Sequence, residues 1–598
     1  MAKKYIDVMD TTFRDGFQSV FGGRVLMDDF FPAVEAAKDA GITHFEFGGG
    51  ARFQSLFFYL QENAFEMMDK FREIVGPDAN LQTLARGINT VMLDTGSREL
   101  IDLHAKMFAK HGTTTIRNFD ALNDVQNLEY SAECIKKYGL NHEVVVTLMD
   151  LPPGCVGAHD VPFYEKTLRQ ILDSGVPHDS ICFKDASGTS SPQKVYETIQ
   201  MARKLVGDDT HIRLHTHETA GVSVACYLAA LEAGADGIDL AASPVSGGTS
   251  QPDILTMLHA VKGKNYDLGG LELEKILKYQ EVLNDCLSDY FIPPEATQVS
   301  PLIPFSPMPG GALTANTQMM RDNGTLDKFP EVIKAMREVV EKGGYGTSVT
   351  PVSQFYWQQA YANVMFGPWK QIAPGYGKMV LGYFGKTPVE PDSEVVALAA
   401  EKLKLEPTKE NPLDIADRDE KKKISVWKER LEHEGIETSE ENIFIAAACD
   451  EKGIAFLKGE SPLNVRKGQD NNTQGENSTM ANANGNYTVV VDGQKFNVTV
   501  AEGNADIQVT PAASNESAPV AAPALNGGKT EVPAAVNGAV WKILVKEGDK
   551  VEQDQQIMIL EAMKMEIDIN APVAGTITKI LVNPADAVDE GQTLALIG

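Results

Sequence analysis

Over roughly the first 250 residues, short runs of β-branched and aromatic residues alternate with stretches whose apolar positions recur every three to four residues. The runs are Tyr5–Thr11, Thr43–Phe47, Leu81–Ala85, Thr113–Arg117, Glu143–Leu148, Ser180–Phe183, Ile212–His215 and Gly237–Leu240. Their spacing, roughly 25–40 residues, is that of βα units. Eight such units predict an α/β fold, a (β/α)8 TIM barrel over residues 1–268. A doubly wound open sheet is the alternative. The barrel is preferred because polar and charged residues crowd the C-terminal ends of many runs, and in a barrel those ends converge on one site.

Beyond the barrel the pattern turns mostly helical. Leu271–Leu287 and Pro330–Lys342 carry helical periodicity, and residues 269–460 read as a helical extension. Residues 461–486 read as a low-complexity linker, rich in Asn, Gln, Ser and Gly. Residues 487–510 alternate like a small hairpin, with Asp492-Gly493 at its turn. Residues 511–530 form an Ala/Pro-rich linker with a coil span on the order of 25 Å. Residues 531–598 read as a small all-β domain of two similar halves. An offset of 37 positions carries Gly538 to Gly575, Lys542 to Lys579, Asp549 to Asp586 and Val551 to Val588. Such a repeat predicts a flattened β-barrel with quasi-twofold symmetry.

Charge and composition narrow the function. A formal net charge of -29 argues against a nucleic-acid partner, whose phosphates need a basic surface. The six cysteines are scattered, with no CxxC pair, which fits a reducing compartment and excludes a zinc knuckle or disulfide framework. No secretory signal is visible, and no apolar run reaches the ~18–20 residues of a membrane span. The expectation is a cytoplasmic protein with no direct membrane insertion.

Candidate chemistry gathers at the strand ends. The segments are Asp10-Thr11-Thr12-Phe13-Arg14-Asp15, Leu84-Ala85-Arg86-Gly87, Phe183-Lys184-Asp185 and His215-Thr216-His217. Residues i and i+2 of a strand share a face, so His215 and His217 can address one divalent metal. Alone they would read as core histidines. Asp15 and Lys184 at the same barrel mouth turn the reading toward a metal. A lysine ligates poorly unless CO₂ converts it to a carbamate, and its bland reading is a salt bridge. Near the C-terminus stands Glu561-Ala562-Met563-Lys564-Met565-Glu566, between the two halves of the repeat. The bland reading is an exposed hairpin lysine. The motif resembles the biotinyl domain, in which a Met-Lys-Met turn presents lysine for coupling to biotin. A lipoyl domain shares that fold, but its lysine usually lacks both methionines.

The barrel and helical part resemble the carboxyltransferase unit shared by pyruvate carboxylase, the oxaloacetate decarboxylase α chain and the transcarboxylase pyruvate subunit. The matching motifs are Arg14-Asp15-x-x-Gln18-Ser19, Leu84-x-Arg86, Lys184-Asp185, His215-x-His217, Thr249-Ser250-Gln251-Pro252 and Val349-Thr350-Pro351-Val352-Ser353. With the carrier, the likeness covers nearly the whole chain and is strongest to the carrier-bearing chains of two-subunit pyruvate carboxylases. It implies that Asp15, carbamylated Lys184, His215 and His217 bind a metal, zinc first and manganese next. It implies that Arg86 holds the carboxylate of pyruvate, and that Arg14 and Gln18 hold its carbonyl oxygen. Thr350 would shuttle the proton between the methyl of pyruvate and the ureido nitrogen of biotin, and Ser353 would touch the biotin ring. It further implies covalent biotin on Lys564, attached by a biotin protein ligase and carboxylated by a separate ATP-dependent subunit, since no biotin carboxylase unit precedes the barrel. A homo-oligomer is also implied. Three positions depart from the family pattern. Phe17 stands where many members have His, Gly48 replaces a common Trp, and Leu93 stands where a Tyr often neighbours the biotin pocket.

The leading expectation is carboxyl transfer from carboxybiotin to pyruvate, giving oxaloacetate. The alternatives are the reverse reaction in a membrane decarboxylase pump, a carboxylase acting on 2-oxoglutarate, a non-catalytic biotin-bearing scaffold, and a metal-dependent aldol or Claisen enzyme.

Overall fold

The computed structural model describes residues 3–468, 485–491, 494–500, 530–535, 538–562, 565–584, 586–588 and 591–598. The chain divides into two compact units, one built on residues 1–468 and the other on the C-terminal residues.

In the first unit, eight parallel strands close on themselves. They are β1 (Lys4–Asp10), β2 (His44–Gly49), β3 (Asn80–Ala85), β4 (Thr115–Asn118), β5 (Asn141–Thr147), β6 (Ser180–Asp185), β7 (His211–Thr216) and β8 (Gly237–Leu240). Each pairs with the next, and β1 pairs with both β8 and β2, so the sheet is a barrel. All eight expected strands are present, displaced by a few residues at most. Amphipathic helices follow the strands and start at local caps. The Ser97 hydroxyl accepts from the Leu100 N–H, Asp160 from Phe163 and Ser191 from Lys194, each satisfying an orphan donor of the first turn. A further short strand, β9 (Tyr266–Leu268), pairs with the start of β1.

The barrel interior is not wholly apolar. Arg117, Arg213, Glu143 and Asp239 are buried within it. Arg117 pairs with Glu143 and Asp239 at 2.5 Å, and Arg213 reaches Asp239 at 2.9 Å. Buried ion pairs gain little net stability, but they fix side chains in one arrangement. This lattice underlies the strand ends and braces Asp239 against them.

The helical extension includes Leu273–Cys286, Gly310–Asp322, Phe329–Lys342, Val352–Phe366 and Glu440–Leu457. Phe444 of the last packs among Phe53, Phe65 and Phe108, binding the extension to the barrel helices. Backbone bonds from Phe291 to Arg466 and from Gly468 to Asp289 tie the chain back to the same unit. Among the described residues no helix is long and apolar enough to cross a membrane.

Strands Gly485–Val491 and Gln494–Val500 pair as an antiparallel hairpin, and the expected turn at Asp492-Gly493 lies outside the described residues. The C-terminal domain has two four-stranded sheets. One orders Thr530–Pro533, Thr593–Ile597, Gly575–Ile580 and Lys550–Val551; the other orders Met565–Asn570, Gln556–Ala562, Gly538–Ile543 and Ala587–Val588. The 37-residue offset maps Gly538–Ile543 onto Gly575–Ile580 and Lys550–Val551 onto Ala587–Val588. The repeat in sequence is therefore a repeat in structure, and each sheet takes strands from both halves.

Candidate active site

Four strand ends and one loop of the extension meet at the mouth of the barrel. After β1 the chain makes one wide π-helical turn, Thr12–Gly16, which carries Arg14 and Asp15. Turns of this kind recur at functional sites. Asp10 closes it, accepting from the Thr12 N–H at 2.9 Å. Lys184 on β6 and His215 on β7 are direct partners across the ladder. His217 lies one residue past β7, and Arg86 directly follows β3.

The acid and the two imidazoles converge. Asp15 Oδ2 lies 3.2 Å from His215 Nε2 and 3.3 Å from His217 Nε2, all three side chains being buried. Lys184 Nζ is 2.7 Å from His215 Nε2 and 3.6 Å from Asp15 Oδ2. The outward nitrogens decide the tautomers. His215 Nδ1 sits 2.8 Å from Asp239 Oδ2, and His217 Nδ1 sits 2.7 Å from the Thr249 carbonyl oxygen. Both partners accept, so both rings carry a proton at Nδ1 and turn Nε2 toward Asp15. That is how metal-binding histidines are oriented. Burial alone would raise the Asp15 carboxyl, but Arg14, Lys184 and His217 outweigh it and hold it well below the usual carboxylate range. Burial also pulls down the Lys184 ammonium, against Asp15 and Glu46. Burial and then Lys184 keep His215 neutral. The donor set, a carboxylate and two imidazoles beside an amine, fits a divalent metal.

Beside this cluster lies a cavity of about 40 Å³ lined by Arg14, Asp15, Gln18, Arg86, Lys184, His217 and Thr350, with apolar walls from Leu84, Phe119 and Val349. Arg14 is anchored by Glu46 at 2.5 Å. Gln18 Oε1 accepts from the Ala51 and Arg52 N–H groups at 3.1 and 3.3 Å, which leaves its NH₂ to donate at the cavity. Arg86 donates to the carbonyls of Val91 and Met92, at 2.6 and 3.1 Å. Its guanidinium is pushed down to about 9 by burial and then by Arg14, and no carboxylate among the described residues counters either. It stays a cation at neutral pH. Thr350 comes from the loop before Val352–Phe366. The Thr347 N–H donates to the Ala121 carbonyl at 2.7 Å, and the Thr347 and Thr147 hydroxyls bond at 2.7 Å, so the loop is fastened to the strand ends.

Arg14, Asp15, Gln18, Arg86, Lys184, His217 and Thr350 thus share one cavity, with His215 behind it. Ser353 does not line it; it is fully buried, its hydroxyl without a partner among the described residues. Lys564 lies outside the described residues. Phe17 turns into an aromatic cluster with Phe30 and Phe13, at 5.2 and 5.8 Å, and does not reach the cavity. Gly48 sits at a register shift between β2 and β3, and Leu93 is 36% exposed. The Gly48-Gly49-Gly50 run makes a tight strand-to-helix turn, since a methyl on Gly49 would run into the Leu84 backbone. Gly344 is likewise close-packed, against the Val389 carbonyl. Sequence reasoning missed Asp239, Glu46 and Gln251 as parts of this site. Gln251 lay in a motif matched by resemblance, while Asp239 and Glu46 carried no local signal.

A barrel with such a mouth, joined to a symmetrical carrier domain, defines a biotin-dependent carboxyltransferase. Residues 115–282 match the family described as HMGL-like, 303–508 that of the conserved carboxylase domain, and 530–597 that of biotin-requiring enzymes. The B subunit of pyruvate carboxylase from Methanocaldococcus jannaschii is 30% identical, the match covering 94% of each chain. The 2-oxoglutarate carboxylase large subunit of Hydrogenobacter thermophilus is 28% identical over 95% of this chain and 91% of its own. The carboxyl transferase domain of Rhizobium etli pyruvate carboxylase with pyruvate shares the fold, with a TM-score of 0.70 at 22% identity, over 83% of this chain and 88% of that one. The chain belongs to the family of pyruvate carboxylase B subunits.

Proposed function

We propose that the chain transfers a carboxyl group from biotin carried on Lys564 to pyruvate, forming oxaloacetate. One observation carries this reading: Arg86, a buried cation with no carboxylate partner among the described residues, shares a small cavity with Asp15, Lys184, His217 and Thr350. Asp15, His215 and His217, with Lys184 as a carbamate, would hold a divalent metal, zinc before manganese. When bound, it supplies a Lewis acid for the keto oxygen of the oxoacid. The burial that disfavours the Lys184 ammonium favours the free amine, the form that adds to CO₂.

Arg86 binds the carboxylate of the oxoacid. Arg14 and the Gln18 NH₂ donate to its keto oxygen as negative charge develops there. The Thr350 hydroxyl takes a proton from the methyl carbon while passing its own to the ureido nitrogen of biotin, so it ends unchanged. A separate ATP-dependent biotin carboxylase would load the biotin and a biotin protein ligase would attach it. The M. jannaschii relative, itself one subunit of a carboxylase, supports the first.

The H. thermophilus relative favours a second reading, with 2-oxoglutarate as acceptor. The small cavity favours pyruvate. Transfer to each acid, followed on the loaded chain, tests the choice: pyruvate should be preferred by about 100-fold or more in kcat/KM, about 3 kcal/mol. Thr350→Ala should lower transfer by about 1000-fold, in the range of general acid–base catalysis, and leave loading of biotin intact. Preference for 2-oxoglutarate, or normal transfer by Thr350→Ala, would overturn the reading.

A further inference from the structure

One buried amide at the metal cluster is not used by the chemistry above. Gln251 is fully buried, and its carbonyl accepts from the Gly247 N–H at 2.8 Å, so its backbone is fixed. Its side-chain Nε2 lies 3.2 Å from Asp15 Oδ2 and 3.0 Å from His217 Nε2. The amide tip therefore stands beside two of the three convergent ligand atoms, at distances close to the 3.3 Å that separates those two atoms.

The other end of the amide shows a conflict of protons. Gln251 Oε1 is 2.7 Å from Thr11 Oγ1 and 3.3 Å from Ser250 Oγ. Thr11 Oγ1 also lies 2.9 Å from the Leu240 carbonyl oxygen. A threonine hydroxyl has one proton and here faces two acceptors. The oxygen and nitrogen of an amide are interchangeable in shape, so the hydrogen-bond network decides their placement. Turning the amide over resolves the conflict. Nε2 then donates to Thr11 Oγ1 and Ser250 Oγ, and the Thr11 proton goes to Leu240. The same turn puts Oε1 on the side of Asp15 and His217. An ion held by Asp15 Oδ2 and His217 Nε2 takes the lone pairs that an inward Nε2 would address, which gives the amide reason to turn.

We propose that Gln251 is a further oxygen donor to the metal centre, its Oε1 facing the ion beside Asp15 and His217. The inference rests on the metal reading of Asp15, His215 and His217. It also gives the Thr249-Ser250-Gln251-Pro252 segment a role: Thr249 fixes the His217 tautomer through its carbonyl, and Gln251 supplies a ligand two residues on.

The test is chelator competition for zinc on the stripped full-length chain, in wild type, Gln251→Leu and Gln251→Glu. Gln251→Leu should bind zinc at least about tenfold more weakly, the lower end of what loss of a supporting group costs a metal site. Gln251→Glu, with oxygen in the same place, should bind at least as tightly as wild type. Were Nε2 the working end, the new carboxylate would repel Asp15, and Gln251→Glu would bind worst of the three. Gln251→Met keeps the length of the side chain and replaces Gln251→Leu if that variant does not fold. Equal affinity in wild type and Gln251→Leu, or weaker binding by Gln251→Glu than by Gln251→Leu, would overturn the inference alone. A wild-type chain that binds no zinc would sink the metal reading with it.

Discussion

Arg86 is a buried charge whose cost to stability the proposed binding of an anion would offset. It is 2% exposed, donates to two backbone carbonyls, and meets no carboxylate among the described residues. A buried charge without a counter-ion is costly unless an anion arrives. Arg86→Gln should therefore raise KM for pyruvate and lower kcat/KM by about 100-fold, about 3 kcal/mol, without lowering the thermal midpoint. Steady-state kinetics beside a melting curve check both, and an unchanged KM would remove Arg86 from the substrate site. At this scale the sequence was legible where chemistry is local. His215 and His217 stand two positions apart at the end of β7, Arg86 directly follows β3, and Asp15 lies in the turn after β1. The supporting residues were not legible. Asp239 orients His215 from the neighbouring strand, 24 positions away, and Glu46 anchors Arg14 across 32 positions. Nothing in a local pattern marks such partners.

At the scale of elements, alternation located the eight barrel strands because each is a short apolar run with a polar end. The helical extension was legible only as helical. Its packing depends on pairs distant in the chain, such as Phe108 with Phe444. The helix Arg98–Lys110 also carries His104, whose ring centre lies 4.1 Å from that of Phe108 and which has no partner for Nε2 among the described residues. Burial pulls His104 down to about 3. The unfolded chain, with an ordinary histidine pKa near 6.5, takes up the proton first. This contribution to stability is full above about pH 6.5 and is lost as the pH falls toward 3. At pH 5 the loss is about 2 kcal/mol, from 1.36 kcal/mol per pH unit. His104→Leu should therefore lose about 2 kcal/mol less than wild type between pH 7 and pH 5 in denaturant titrations. Identical losses in the two chains would show that His104 does not carry the effect.

At the scale of the whole molecule, the chain joins a site that spends a carboxyl group to a domain built to carry one. The 37-residue repeat made the carrier legible before its strands were placed, because each half supplies equivalent strands to both sheets. A tethered carrier raises the local concentration of its cargo without free diffusion. On the proposed reading the cargo reaches the barrel on Lys564, and transfer at the barrel depends on it. The most direct measurement is a single-turnover chase, with isotopic carboxyl label loaded on the biotin of Lys564 and pyruvate added. The label should leave the protein and appear in oxaloacetate, and Lys564→Arg should take up none. Label that stays on the wild-type chain in the presence of pyruvate, or that Lys564→Arg acquires equally, would contradict the account.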